Sequence, residues 1–160
     1  MAGQRASSRG HLRCRCVFGR GSRMTTAVDT SVLLDILTDD PRHAANSEAA
    51  LAEARASGRL VVCESVISEL RPALASDQQL AAFMGDVGLE FLPASLESAT
   101  LAGSIYASYL KNRGQSRRVL PDFLIAAHAR LNADRLLARD RGYYREYFRD
   151  LSLMDPSAGV

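Results

Sequence analysis

The sequence predicts an α/β fold in which helices cover both faces of an open, parallel sheet. Short apolar runs, each typical of a buried strand, alternate with longer segments that have helical spacing. The chain has 160 residues, of which 47% are hydrophobic, enough for one domain with a substantial core. It contains no run of 18 or more apolar residues, so we expect no membrane-spanning helix.

The first segment, residues 1–23, differs in composition from the rest of the chain. It carries six arginines and no acid, whereas residues 24–160 carry fourteen basic and eighteen acidic residues, a net charge of −4. Such a segment resembles a transit peptide or a basic arm that contacts nucleic acid. We favour a third interpretation, an extension upstream of a start at Met24, because the folded pattern begins at Thr25 without a linker. Residues 24–160 are then one domain.

The first half of the folded pattern begins with a strand and two helices. Gly58 is a favourable helix end, and Pro72 is expected to kink or break its helix. The predicted elements are strand 25–29, helix 31–37, helix 41–58, strand 59–63 and helix 64–74.

The second half continues the alternation without an internal repeat. A loop of polar and basic residues precedes the helix that starts at Asp122. The predicted elements are helix 77–87, strand 89–93, helix 95–114, the helix from Asp122, strand 135–139, helix 142–148 and strand 151–155.

The three cysteines form no disulfide framework, and their odd number is typical of a reducing compartment such as the cytoplasm. Cys63 lies in an apolar run and is expected to be buried. His11, Cys14 and Cys16 resemble metal ligands in type, but no second ligand pair follows them, so we give this site little weight.

Acidic residues occur where ligands bind in this class of fold, which is outside the carboxyl ends of the strands. Asp29 follows the first strand and Asp140 the fourth, while Asp122 follows Pro121 at the head of a nearly all-apolar helix. Each has an ordinary structural role as a helix cap, a turn residue or a partner of the helix dipole. Glu69 lies among apolar helical positions, where a carboxylate needs a partner.

Converging carboxylates repel one another, and one of them must hold a proton unless a cation lies among them. Oxygen ligands without paired histidine or cysteine favour Mg²⁺ or Mn²⁺. The chemistry that such a site supports is attack of water on a phosphodiester. The sequence alone leaves open whether one metal ion or two would bind.

Four segments, in this order and spacing, strongly resemble a PIN domain, and more narrowly the VapC toxins of bacterial toxin–antitoxin pairs. They are AVDTSVLLDIL, ESVISEL, LPDFLIAAHA and LLARDRGYYREYF. The likeness covers essentially residues 25–156 and omits the N-terminal extension. It implies a three-layer α/β/α fold with a central, mostly parallel sheet of four to five strands, and a ribonuclease dependent on Mg²⁺ or Mn²⁺.

The resemblance also implies roles for individual residues. The four acids of the family motif fall on Asp29, Glu69, Asp122 and Asp140, as catalytic residues and as metal ligands directly or through water. We expect Asp29 and Asp122 to be direct ligands. The small hydroxylic residue that supports the site falls on Thr30 or Ser31.

Several arginines near the acids are candidate phosphate contacts, although each could equally be an ordinary solvated side chain. They are Arg113, Arg117, Arg118, Arg139 and Arg141. For Tyr143 and Tyr144 we expect packing rather than stacking on bases, and for His128 a packing or surface role.

The family likeness implies an RNA substrate, commonly transfer or ribosomal RNA, a VapB-type antitoxin and a homodimer. The main alternative is a catalytically silent PIN module that binds RNA or protein, which would predict a missing acid. An aspartyl phosphatase would need a second aspartate at the position of Ser31. A structure-specific DNA nuclease would need additional DNA-gripping elements, for which a domain this small has little room.

Overall fold

The computed structural model describes residues 23–113 and 119–157, apart from the side chain of Arg113. Within these residues five strands form one sheet in the order β3-β2-β1-β4-β5, and every pair of neighbours is parallel. The strands are β1 (Met24–Val28), β2 (Gly58–Val62), β3 (Leu89–Phe91), β4 (Arg135–Leu137) and β5 (Leu153–Met154). This arrangement confirms the predicted parallel α/β sheet.

Helices cover both faces of the sheet, so the three-layer architecture is confirmed as well. They are α1 (Thr30–Leu37), α2 (Ala44–Ser57), α3 (Glu64–Leu70), α4 (Asp77–Val87), α5 (Leu96–Arg113), α6 (Leu120–Asn132) and α7 (Tyr143–Tyr147). The helix pair α1 and α2 packs together, as does the pair α5 and α6. Because β1 and β3 are followed by connections in opposite directions along the sheet, right-handed crossovers place these pairs on opposite faces. Within the described residues, no helix is long and apolar enough to cross a membrane.

The observed elements start and end within a few residues of the predicted ones. Pro72 ends α3 as predicted, since Arg71–Ala73 continue as a short 3₁₀ helix. Helix α6 begins at Leu120, two residues before the predicted start, because a proline is tolerated in the first turn, where its missing N–H has no acceptor to bond.

The core lies between the sheet and its two helical layers. Helix α6 is buried over most of its length, as its apolar sequence predicts, and His128 within it is 1% exposed. Cys63 is buried, as expected. The largest fully buried side chains include Phe123, Phe148, Leu33, Leu60, Leu70, Ile125, Leu136 and Leu137.

Strand order reverses direction at the pair β1 and β4, where two connections leave for opposite sides of the sheet. This is the switch point at which parallel sheets leave a crevice outside their carboxyl ends. The Asp29 N–H donates to the Leu137 carbonyl over 2.9 Å, so the chain stays paired to the end of both strands. The first and fourth predicted acids therefore leave the sheet side by side.

Two of the predictions concern residues that the structure does not describe. Residues 1–22 of the predicted N-terminal extension, and the predicted phosphate contacts Arg117 and Arg118, lie outside the described residues. The division into an extension and one domain stays a prediction.

Candidate active site

A cavity of about 380 Å³ opens at the carboxyl edge of the sheet. Its volume lies in the range of small-ligand sites in proteins. Three of the four predicted acids line it, together with both predicted hydroxyl residues. The lining is Asp29, Thr30, Ser31, Leu34, Glu69, Asp122, Arg139, Arg141, Tyr143 and Tyr144.

Asp29 caps α1 and faces the cavity at once. Its Oδ2 accepts the N–H of Ser31 over 3.0 Å and also the Ser31 hydroxyl, which makes a short contact. Its Oδ1 accepts the hydroxyl of Tyr144 over 3.0 Å. The carboxylate is 4% exposed and is held by donors on two sides. Asp29 therefore caps α1, as considered from the sequence, and the same hydrogen bonds hold its carboxylate at the cavity.

Glu69 reaches the cavity from α3. The Thr30 hydroxyl donates to its Oε2 over 2.5 Å, which supplies the partner that a carboxylate among apolar positions needs. Glu64, five residues earlier, instead accepts the N–H of Ala94 over 2.9 Å. The two glutamates thus face different surroundings, and only Glu69 lines the cavity.

Asp122 lies in the first turn of α6. Burial raises its pKa from the ordinary 3.8 to about 7, and the negative charges of Asp29 and Glu69 add to the rise. Arg141 and hydrogen bonding with Tyr144 act in the opposite direction. The three acids line one cavity, and the repulsion between their charges contributes to this rise in pKa.

Tyr144 is a buried residue of the cavity lining, next to the acids. Its side chain is 4% exposed, and burial, followed by the charges of Asp29 and Asp122, raises the pKa of its hydroxyl well above the ordinary value. The hydroxyl therefore stays protonated and donates to Asp29. Tyr143 packs edge-on against Tyr109 with ring centroids 5.9 Å apart. Both tyrosines pack as expected, but the contact between Tyr144 and Asp29 was not foreseen.

Asp140, the fourth predicted acid, does not line the cavity, although its sequence neighbours Arg139 and Arg141 do. Its Oδ1 accepts the N–H of Gly142 over 2.8 Å and that of Tyr144 over 3.3 Å. Its Oδ2 lies 3.1 Å from Nε of Arg145. This carboxylate shapes the turn that leads into α7, the structural role considered for it from the sequence.

The arginines after β4 differ in their surroundings. Arg141 is exposed at the cavity, with its charge acting on Asp122. Arg139 is 23% exposed, and its Nε lies 2.9 Å from Oδ2 of the buried Asp35. Arg113 ends α5, and its side chain is outside the described part of the structure.

The donor set fits a hard divalent cation. Asp29, Glu69 and Asp122 offer oxygen atoms only, which favours Mg²⁺ or Mn²⁺ over softer metals. Burial is the main cause of the raised pKa of Asp122, and a cation would relieve the repulsion from Asp29 and Glu69 that adds to it. Within residues 23–113 and 119–157, however, no group of three or more His, Cys, Asp or Glu side chains stands in a ready-made metal geometry. Asp29 and Glu69 are instead bonded to neighbouring hydroxyls.

Two residues that bear on the site, one lining the cavity and one behind it, were not predicted from the sequence. Tyr144 follows the fourth acid within an aromatic run, and this position near an acid could have indicated a role at the site. Its contact with Asp29 could not be predicted, because only the fold brings the two side chains together. Asp35 lies between Leu34 and Ile36 in an apolar helix, and a lone acid there indicates a buried partner.

Comparison with known proteins agrees with this fold. A family model described as the PIN domain matches residues 26–148. A comparison with curated protein sequences finds no match.

Solved structures with a similar fold include three VapBC structures. VapBC2 from Rickettsia felis, bound to a DNA fragment from its promoter, superposes with a TM-score of 0.61 at 18% identity, over 82% of this chain and 98% of that chain. VapBC-1 from nontypeable Haemophilus influenzae gives 0.60 at 24% identity, over 84% and 99%. DNA-bound VapBC from Salmonella typhimurium gives 0.59 at 19% identity, over 83% and 98%. At these identities the likeness is one of fold.

The family match spans most of the chain and runs from the first strand, through the cavity that the three acids line, to the end of the helix that carries Tyr144. The chain belongs to the PIN domain family.

Proposed function

We propose that this protein is an endoribonuclease dependent on Mg²⁺ or Mn²⁺ that acts in the cytoplasm as the toxin of a toxin–antitoxin pair. The observation that carries the proposal is the convergence of Asp29, Glu69 and Asp122 in one cavity at the switch point of the sheet. Three carboxylates in a small cavity suit a divalent cation, and a divalent cation suits a phosphodiester substrate.

Asp29, Glu69 and Asp122 would hold the metal, with Asp29 and Asp122 as direct ligands. When bound, the ion supplies Lewis-acid stabilisation of phosphate charge and lowers the pKa of water, so no histidine is required. Burial, with the charges of Asp29 and Glu69, raises the pKa of Asp122 to about 7, and a metal ligand at this position would be the ionised carboxylate.

The surrounding side chains hold these ligands in place. Ser31 and Tyr144 each donate to one oxygen of Asp29, and Thr30 donates to Glu69. Asp29 and Glu69 thereby keep fixed directions, which is the usual task of groups behind a metal site. Asp140 contributes from outside the cavity by shaping the turn that carries Tyr144.

RNA is the substrate in this proposal, with structured transfer or ribosomal RNA as the expected class. An acidic cavity repels phosphate unless cations offset its charge, and Arg141 at the cavity is one such cation. Arg113, Arg117 and Arg118 precede α6 in sequence and stay candidate phosphate contacts.

A VapB-type antitoxin is the proposed partner, and a homodimer the proposed assembly. The structures of similar fold from Rickettsia felis, Haemophilus influenzae and Salmonella typhimurium are VapBC complexes, which supports this proposal. A basic antitoxin segment over the acidic cavity would silence the enzyme, because it would compete with both metal and RNA.

The test is cleavage of total cellular RNA by the purified protein, freed of any inhibitor that copurifies. Parallel reactions contain Mg²⁺, Mn²⁺ or EDTA, and the Asp122→Asn variant is assayed beside the wild type. We expect discrete fragments that require metal and disappear in the variant, and mapping their ends would identify the target.

Retention of equal cleavage by Asp122→Asn would remove the acidic cavity from the mechanism. If neither metal binding nor RNA turnover is detected, the silent binding module takes the place of the enzyme. The motif argues against that alternative, because all four of its acidic positions are filled.

A further inference from the structure

Asp35 is a buried acid that the proposed metal site does not use. It lies on α1, one helical turn after Ser31, and is 3% exposed. It is absent from the cavity lining, so it has no access to a substrate. A carboxylate this deeply buried must be compensated by a positive charge or by hydrogen-bond donors.

Two elements supply that compensation. The Ser47 hydroxyl on α2 donates to Oδ2 of Asp35 over 2.7 Å. Nε of Arg139, just after β4, lies 2.9 Å from the same oxygen. The Nε–H does not point along this line and finds no hydrogen-bond acceptor among the described residues, so charge attraction joins the pair.

Arg139 touches α1 at a second point, one turn closer to the metal site. Its backbone N–H donates to the Ser31 hydroxyl oxygen over 3.3 Å. The Ser31 hydroxyl donates its hydrogen to Asp29, so its oxygen can accept the Arg139 N–H. One residue at the end of β4 is thus fastened to α1 by its side chain and by its backbone.

We infer that Arg139 and Asp35 are positioning residues for the cavity. Their buried ion pair holds the end of β4 against α1, which keeps the Arg139 N–H on Ser31, and Ser31 in turn fixes the Asp29 carboxylate. The inference rests on the proposed function. It is an alternative to the expectation that Arg139 contacts RNA phosphate, since Arg139 also lines the cavity, and the test below separates the two roles.

The test compares Mn²⁺ affinity, measured by calorimetry without RNA, with the kcat and KM for RNA cleavage. The variants are Arg139→Gln, Asp35→Asn and the double variant. We expect each single substitution to weaken Mn²⁺ binding by about tenfold, as loss of supporting contacts commonly does, and to lower kcat while KM for RNA changes less than twofold.

The double variant keeps the inference testable if a single one folds poorly. Removing one partner leaves an uncompensated buried charge, whereas the Asn–Gln pair is neutral and can hydrogen-bond. Its Mn²⁺ affinity should be no weaker than that of either single variant. Arg59→Gln is the matched control, because it breaks the ion pair with Glu90, whose atoms lie 2.6 Å apart on strands away from the cavity. It should leave Mn²⁺ affinity unchanged.

Three results would overturn the inference. A raised KM in Arg139→Gln with unchanged Mn²⁺ affinity would make Arg139 an RNA contact. Lower thermal stability with unchanged Mn²⁺ affinity in all three variants would make the pair merely structural. A wild type that binds no Mn²⁺ would remove the proposed function itself, and the positioning role with it.

Discussion

At the scale of single residues, the surroundings of Asp122 determine its ionisation. A carboxylate in the first turn of a helix is ordinarily stabilised by the helix dipole. Here burial and the charges of Asp29 and Glu69 outweigh that effect, and the pKa of Asp122 rises to about 7. The residue is thus poised between a neutral state without metal and an ionised state with it.

This raised pKa makes the stability of the metal-free protein depend on pH. The native state binds the Asp122 proton more tightly than the unfolded state, whose pKa lies near the ordinary 3.8. The stabilisation is complete below pH 4 and is lost as the pH rises through about 7. We expect the free energy of unfolding in EDTA to fall by about 1–2 kcal/mol between pH 5 and pH 8, allowing for the partial exposure of the group.

Denaturant unfolding at several pH values measures this dependence. Asp29, Glu69, Arg141 and Tyr144 face Asp122, and all four are kept in the comparison variant Asp122→Asn. The variant should lose the fall in stability and be the more stable protein at pH 8. If the free energy of unfolding changed with pH equally in the two proteins, the raised pKa of Asp122 would be contradicted.

The Tyr144 hydroxyl offers a second test at this scale. Tyr144→Phe removes the donor to Oδ1 of Asp29 and should weaken Mn²⁺ binding about threefold to tenfold. It should also lower the free energy of unfolding by roughly 1 kcal/mol. Calorimetry and denaturant unfolding measure the two effects.

Tyr147→Phe is the matched control for this substitution. The Tyr147 hydroxyl is buried without a hydrogen-bond partner among the described residues, so its removal should leave Mn²⁺ affinity unchanged and cost no stability. Equal effects of the two substitutions would contradict the role given to Tyr144.

At the scale of secondary-structure elements, the junction of α2 and β2 depends on one glycine. Gly58 was predicted only as a helix end, but it also opens β2 and pairs with Met24. A Cβ built at Gly58 would lie 2.1 Å from the Met24 carbonyl oxygen, far inside van der Waals contact. The two strands can approach this closely only because residue 58 has no side chain.

Gly58→Ala should therefore destabilise the protein by roughly 1–3 kcal/mol, since backbone on both strands must shift. Thermal or denaturant unfolding measures the change. Gly85→Ala in α4 is the matched control, because a Cβ there meets nothing within 4 Å. It should be neutral or stabilising by up to about 1 kcal/mol, as expected for an exposed helical position. Equal losses in the two variants would show that the close approach is unimportant.

The sequence predicted the order of the elements, since strand and helix periods alternate clearly along the chain. It also placed Asp29 and Asp122 at the cavity, because parallel strands end at one edge and the helix of Asp122 reaches that edge. The direction of the Asp140 side chain was not predictable, because hydrogen bonds to Gly142 and Tyr144 within a turn decide it. The ion pair between Asp35 and Arg139 joins residues far apart in the chain, and only the packed fold brings them together.

At the scale of the whole molecule, charge is unevenly distributed. Residues 24–160 carry a net charge of −4, whereas residues 1–23 carry six arginines and no acid. Although we favour a start at Met24, the full 160-residue chain would bind RNA through metal, local arginines and, as the alternative interpretation has it, the basic N-terminal segment. The family match begins at residue 26, so all four acids of the proposed site lie after this segment.

Removal of residues 1–23 should separate RNA affinity from metal affinity. The shortened protein should keep the Mn²⁺ affinity and the cleavage sites of the full chain. Its RNA binding should weaken at low salt and depend less on salt concentration, because each lost phosphate contact lowers the logarithmic slope by about 0.7. Filter binding over a salt series measures this slope, and an unchanged slope would place the RNA contacts entirely within the folded part.

Calorimetric titration of Mn²⁺ into the metal-free protein tests the central claim most directly. Wild type, Asp122→Asn and the exposed-acid control Asp77→Asn, whose side chain is 86% exposed, are compared under one buffer condition. The cavity formed by Asp29, Glu69 and Asp122 predicts saturable binding in wild type and control, and affinity at least tenfold weaker in Asp122→Asn. Equal affinity in all three proteins, or no binding in the wild type, would contradict a metal site at this cavity.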